Sequence, residues 1–143
     1  MTAADRAALR AQLERHEGRV LRVYRCTAGY LTIGCGRNLE GKGITDTEAD
    51  YLLDNDIVDV DAALRARLPW YAGLDAIRQR VLIDMGFMGV AKLMKFRKML
   101  GALKAGDYET AAAEMLNSKW ARDVKESRSG RLAHMMRTGT EAA

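Results

Sequence analysis

Apolar residues along most of this chain recur at the three- and four-residue spacing of one helix face. Leu9, Leu13 and His16 follow one another by four and three, which predicts an opening helix from about Ala3 to His16, stopped by Gly18. The longest run begins at "TDTE", where Thr45 and Glu48 have the spacing of a capping box, and continues through Ala49, Leu53, Ile57, Val60, Leu64 and Leu68. Pro69, the single proline of the chain, ends it, and Asp50, Asp54, Asp61 and Arg65 mark its polar face. A helix of roughly 23 residues in so short a chain predicts a bridge between two packed regions. After "PWYAGL", Ile77, Val81, Leu82 and Met85 predict a buried helix, and Phe87 to Leu103 a second one rich in Met and Lys. Further helices are expected after "AGD" (Asp107 to Leu116) and "KES" (Ser129 to Arg137), with Trp120 packed between them.

Residues 18–37 break this period. "RVLRVYR" alternates apolar and polar positions, and "YLTIGCG" places β-branched residues at alternate positions, as half-buried strands do. "TAG" between them predicts a three-residue hairpin loop with Gly29 in the left-handed conformation. That register opposes Cys26 to Tyr30, Tyr24 to Thr32 and Arg22 to Gly34. Arg22, Tyr24, Cys26, Tyr30 and Thr32 then share one face, and Leu21, Val23, Leu31, Ile33 and Cys35 the other. Cys35, among aliphatic neighbours, is expected to be a buried structural thiol.

Composition narrows the class. With 143 residues and 48% hydrophobic content the chain has enough for one sizeable core. No run reaches the roughly 18 apolar residues of a membrane span, and "MTAADRAALRAQLERHEG" lacks a signal peptide's apolar stretch, so synthesis in a cytoplasm, without signal peptide, anchor or membrane insertion, is expected. Cys26 and Cys35 stand at no zinc-ligand spacing with His16 and His134, and no metal is expected. Methionines 85, 88, 94 and 99 read as fillers of irregular core gaps rather than as a cofactor box, and no cofactor is expected. Net charge is +4, unevenly spread: residues 1–37 sum to +4, residues 38–86 to −5 and residues 87–143 to +5. Basic ends around an acidic middle suit an anionic polymer as partner, nucleic acid or bacterial cell wall.

Among candidate chemical groups, Glu17 falls at the end of the first helix, where the helix's partial negative charge opposes a second one and favours a protonated carboxyl. That suits a general acid. His16 continues the apolar face of its helix and is read as a packed or surface residue.

"LERHEGRVLRVYRCTAGYLTIGCGRNL" resembles the catalytic region of phage lysozymes of the T-even type: a Glu at a helix end, eight residues, Asp or Cys, five residues, Thr, and Ile-Gly-x-Gly. "GITDTEADYLLDNDIVDVDAAL" is similar to that family's inter-lobe helix, "YAGLDAIRQRVLIDMGF" to its central buried helix, and "KWARDV" and "RTGT" to its C-terminal segments. The resemblance implies a mainly α (α+β), lysozyme-like two-lobe fold over residues 1–143. In it a small β-hairpin lobe (about 14–55) is joined by a helix (about 46–68) to a helical lobe (about 69–143) that also takes the N-terminal helix. It implies a muramidase cutting the β-1,4 bond between N-acetylmuramic acid and N-acetylglucosamine in peptidoglycan. Glu17 is then the general acid, Cys26 stands where many relatives have Asp, and Thr32 helps place the attacking water. Phe87 matches a substrate-contacting position, Arg128 an arginine near the catalytic glutamate, and Tyr24, beside Cys26 and Thr32, joins them as a substrate contact. An endolysin of this kind is expected to act as a monomer on peptidoglycan, and not on nucleic acid. A phage-encoded pore, a holin, would release it from the host cytoplasm to the wall.

Three roles stay open for Cys26. It activates water together with Thr32, giving inversion; or Arg22 or Arg25 lowers its pKa and the thiolate attacks, giving retention; or it is catalytically bland. The same acid would also serve a lytic transglycosylase forming 1,6-anhydro products, and the basic C-terminal third a nucleic-acid-binding module. The chain departs from the family in "GFMGV", where relatives carry Asn or Gln between Phe and Met, in a short connection from Glu40 to Gly43, and in Arg37, where some have His.

Overall fold

The computed structural model describes residues 1–142. Eight α-helices and three short strands occur among them, in the order α1 (Ala3–Glu17), β1 (Val20–Arg25), β2 (Leu31–Gly34), β3 (Arg37–Asn38), α2 (Asp46–Arg67), α3 (Ala76–Gly86), α4 (Val90–Leu93), α5 (Arg97–Lys104), α6 (Tyr108–Leu116), α7 (Lys119–Asp123) and α8 (Glu126–Thr138). The chain divides into two compact units, Met1–Leu52 and the residues from Leu53 onward. No described helix is long and apolar enough to cross a membrane. This is the mainly helical α+β class expected.

In the first unit, α1 starts with a capping box: the Asp5 backbone N–H donates to Thr2 Oγ1 at 3.1 Å and the Thr2 N–H to Asp5 Oδ2 at 3.1 Å. It buries none of its side chains. The strands form an antiparallel sheet in the order β1-β2-β3. Gly29, at φ 85°, closes the predicted hairpin loop, with Gly29 N–H donating to Cys26 O at 2.8 Å and Cys26 N–H to Tyr30 O at 3.0 Å.

Tyr24 pairs with Thr32 as expected, but Gly34 faces Val20 rather than Arg22. Four residues of β1 thus span the distance of two on β2, a bulge that the alternation of side chains does not reveal. Burial also differs from the expected pattern of faces. Leu21 and Val23 are exposed (77% and 55%), while Thr32 on the polar face is buried at 3%. Cys35 is also exposed, not a buried structural thiol. Gly34 (φ 68°) and Gly36 (φ 78°) turn the backbone left-handed on either side of it, so the strand ends at Gly34 and alternation no longer governs residue 35.

The start of α2 follows the predicted capping box: the Thr45 N–H donates to Glu48 Oε2 at 2.8 Å and the Glu48 N–H to Thr45 Oγ1 at 3.2 Å. Arg37 on β3 forks onto the same carboxylate, Nη1 at 2.8 Å and Nη2 at 2.6 Å, and Nη1 also reaches Gly43 O at 3.1 Å. This clamp holds the Glu48 pKa down to about 2, chiefly through the Arg37 hydrogen bonds.

The core lies in the second unit. Leu64, Tyr71, Val81, Leu82, Met85, Leu93, Met99, Leu103, Met115 and Met136 are essentially inaccessible to solvent. Each such side chain contributes about 1.5–3 kcal/mol through burial. Met85 and Met99 fill this core and Met88 and Met94 pack at its edge, as their spacing suggested. Gly86 is closely fitted here, because a Cβ would stand 2.7 Å from Val60 Cγ1 and one of the two would have to shift. The expected single helix from Phe87 to Leu103 is instead α4 and α5. Phe96 takes a non-helical backbone (φ −76°, ψ 59°) and its ring meets Trp120 edge-on, with centroids 6.5 Å apart. A second organising contact is Arg78, 8% exposed: its Nε donates to Met136 O at 2.7 Å and its Nη2 to Arg137 O at 3.0 Å, capping the end of α8. The same guanidinium pairs with Asp75 and lies 3.4 Å from the Tyr108 ring centroid.

Candidate active site

Glu17 is the last residue of α1. Gly18, at φ 75°, ends the helix with its N–H on Glu14 O at 3.0 Å, and the chain turns into β1. The Glu17 side chain lines an open hollow of about 460 Å³ with Leu13, Arg19, Cys35 and Gly36 among its walls. Gly36 lies against the carboxyl itself: a Cβ there would be 3.1 Å from Glu17 Oε2. Cys35, assigned from the sequence to the packed interior, instead shares this hollow with Glu17.

Cys26 and Thr32 come together on the hairpin, with Tyr24 directly opposite Thr32. The Cys26 thiol is half-buried, and its pKa is lowered first by the Tyr30 backbone N–H. Partial burial works against this, and the Thr32 hydroxyl and the N–H groups of Ala28 and Gly29 add to it. The surroundings of position 26 therefore favour the thiolate over what a free thiol would show. Arg22 and Arg25 are not among the causes; Arg25 instead donates to Gly29 O at 3.0 Å and lies 3.6 Å from Glu40. The Thr32 hydroxyl donates to Tyr30 O at 2.9 Å, which leaves its lone pairs as acceptors.

The other two candidate residues lie in the second unit. Phe87 follows α3, 44% exposed, on the wall of a hollow of about 530 Å³ that Arg128 also lines. Arg128, in the first turn of α8, is held by Asp84, with Nη2 2.6 Å from Asp84 Oδ1. Sequence reasoning passed over Asp84, because nothing in its spacing signals a partner 44 residues away. Among the described residues no group of three or more His, Cys, Asp or Glu is placed to hold a metal ion.

A model of the phage lysozyme family matches residues 14–135, which includes every candidate residue above. The chain belongs to the phage lysozyme family. As a phage lysozyme it is a glycosidase, and relatives named as endolysin and lysozyme are among those it matches. It is 34% identical to the endolysin of Acyrthosiphon pisum secondary endosymbiont phage 1, over 77% of this chain and 75% of that one. It is 28% identical to a Dictyostelium discoideum protein described as "Probable T4-type lysozyme 1", over 94% of this chain and 96% of the other. It is also 31% identical to the pre-baseplate central spike protein Gp5 of Enterobacteria phage T4, over 89% of this chain but only 27% of that longer protein. Glu17, Cys26 and Thr32 all lie in the first unit.

Proposed function

We propose that this phage lysozyme is an endolysin-type muramidase that hydrolyses the β-1,4 bond between N-acetylmuramic acid and N-acetylglucosamine in peptidoglycan. Glu17 gives its proton to the departing glycosidic oxygen as the C–O bond breaks. A water that donates to Thr32 and to the Cys26 sulfur attacks the anomeric carbon from the opposite face, and its proton leaves to the thiolate or to solvent. The product inverts configuration. Phe87, Tyr24 and Arg128 contact the glycan. The enzyme works as a monomer, is made in the host cytoplasm and reaches the wall through a separately encoded pore.

What supports this role for position 26 is its place on the hairpin beside Thr32, where the loop backbone, Tyr30 first, lowers the thiol pKa. A lowered pKa raises the fraction of thiolate, the form of the residue that accepts a proton. Clearing of chloroform-treated Gram-negative cells by wild type and by Glu17→Gln, with mass spectrometry of the released fragments, tests the proposal. Lysis that needs Glu17 and yields hydrolytic products supports it. Products about 18 Da lighter, short by one water, would assign a transglycosylase instead.

A further inference from the structure

The hollow of about 530 Å³ is lined by the apolar Leu53, Ile57, Ile83 and Phe87 and by the charged Arg80, Asp84 and Arg128, Arg80 being paired with Glu141. Asp84 sits in the last turn of α3 and Arg128 in the first turn of α8, 44 residues on. Arg128 Nε and Nη2 both donate to Asp84 Oδ1, at 3.0 and 2.6 Å, and Nη2 also reaches the Asp84 carbonyl oxygen at 3.2 Å. Among the described residues no protein acceptor takes the Nη1 protons, so a guanidinium fixed on one edge keeps two donors free on the other.

We propose that Asp84 is a positioning residue for substrate binding: it holds the Arg128 fork so that the free Nη1 donors meet an acceptor oxygen of the saccharide lying against Phe87. This rests on the reading that Phe87 and Arg128 contact substrate. An unrestrained arginine spreads over many rotamers and loses that freedom on binding, whereas one held in place beforehand loses little. A mere staple between α3 and α8 is a poorer account of the pair. Both side chains are nearly half exposed, 47% and 43%, where ion pairs add little to stability. The two helices are already joined by Arg78 to the end of α8.

The test is kinetic, with purified peptidoglycan fragments and wild type, Asp84→Ala, Asp84→Asn, Arg128→Ala and the double variant Asp84→Ala/Arg128→Ala. Removing Asp84 is expected to raise KM about five- to tenfold with kcat within about twofold, the size of effect that fixing one side chain supplies. Arg128→Ala should do the same or more, the double variant should be no worse than Arg128→Ala alone, and melting temperatures should stay near wild type. Asp84→Asn, which keeps an acceptor of the same shape, should fall between Asp84→Ala and wild type, and it carries the test if Asp84→Ala does not fold. An unchanged KM in the Asp84 variants, or losses that multiply in the double variant, overturns the inference. Failure of wild type to cleave the fragments would instead overturn the muramidase reading beneath it.

Discussion

Replacing Gly36 with Ala tests the placement of the Glu17 carboxyl by adding a single methyl group. At φ 78° the new side chain meets the left-handed penalty of about 1–2 kcal/mol. Its Cβ would also stand 3.1 Å from Glu17 Oε2 and 3.4 Å from Cδ, so the carboxyl must retreat by a few tenths of an ångström. Gly43→Ala is the matched control: φ is 64°, with the nearest atom, the Leu39 carbonyl oxygen, 4.0 Å away. Both variants should therefore lose about 1–2 kcal/mol of stability, read from denaturant unfolding. Only Gly36→Ala should also lose turnover. A proton donor moved by a few tenths of an ångström is expected to cost about tenfold, roughly 1.4 kcal/mol of activation free energy, in a wall-lysis rate assay. Equal turnover in the two variants would refute the claim that Gly36 is there to seat the carboxyl.

Cys26→Asp should keep much of the lytic rate, because surroundings that lower the Cys26 pKa also favour a carboxylate, and Cys26→Ala should lose most of it. In a Cys35→Ser background, alkylation of Cys26 should show a pH midpoint below that of an ordinary thiol, and a midpoint at or above it would contradict the lowered pKa. Glu48, at about 2 when folded and about 4.3 when unfolded, contributes stability that is complete above the unfolded value and is lost as pH falls from about 5 to 2. Amide exchange around β3 and the start of α2 should quicken over that range, and Glu48→Gln should abolish the dependence. Arg78→Met, by uncapping α8 and leaving Asp75 without its cation, should cost about 2–4 kcal/mol in denaturant unfolding. A loss below about 1 kcal/mol would mean that the α8 carbonyls have other partners.

The parts of this molecule that the sequence announced are those decided by neighbours in the chain. Thr45 and Glu48 set the start of α2, Pro69 follows its end, and Gly29 closes the hairpin, each through a local backbone requirement. The departures arise where distant groups decide. The turn at Phe96, whose ring meets Trp120, divides a helix that periodicity would have carried through, and Arg78 caps a helix end nearly 60 residues away. The bulge in β1 and the left-handed glycines around Cys35 share another cause: side-chain alternation is informative only while the strand stays regular. At the site, Glu17, Cys26 and Thr32 are candidates by their spacing along the chain, which the sequence displays. The surroundings that lower the Cys26 pKa, the seat of Glu17 against Gly36, and Asp84 under Arg128 are not legible there, since each is a contact that the fold creates.

Mass spectrometry of purified peptidoglycan digested by wild type and by Glu17→Gln tests the central claim, acid-catalysed hydrolysis at Glu17, most directly. Fragments ending in a free reducing N-acetylmuramic acid, formed by wild type and absent with Glu17→Gln, are the predicted result. Anhydro-ended fragments, or digestion that continues undiminished without the Glu17 proton, would contradict it.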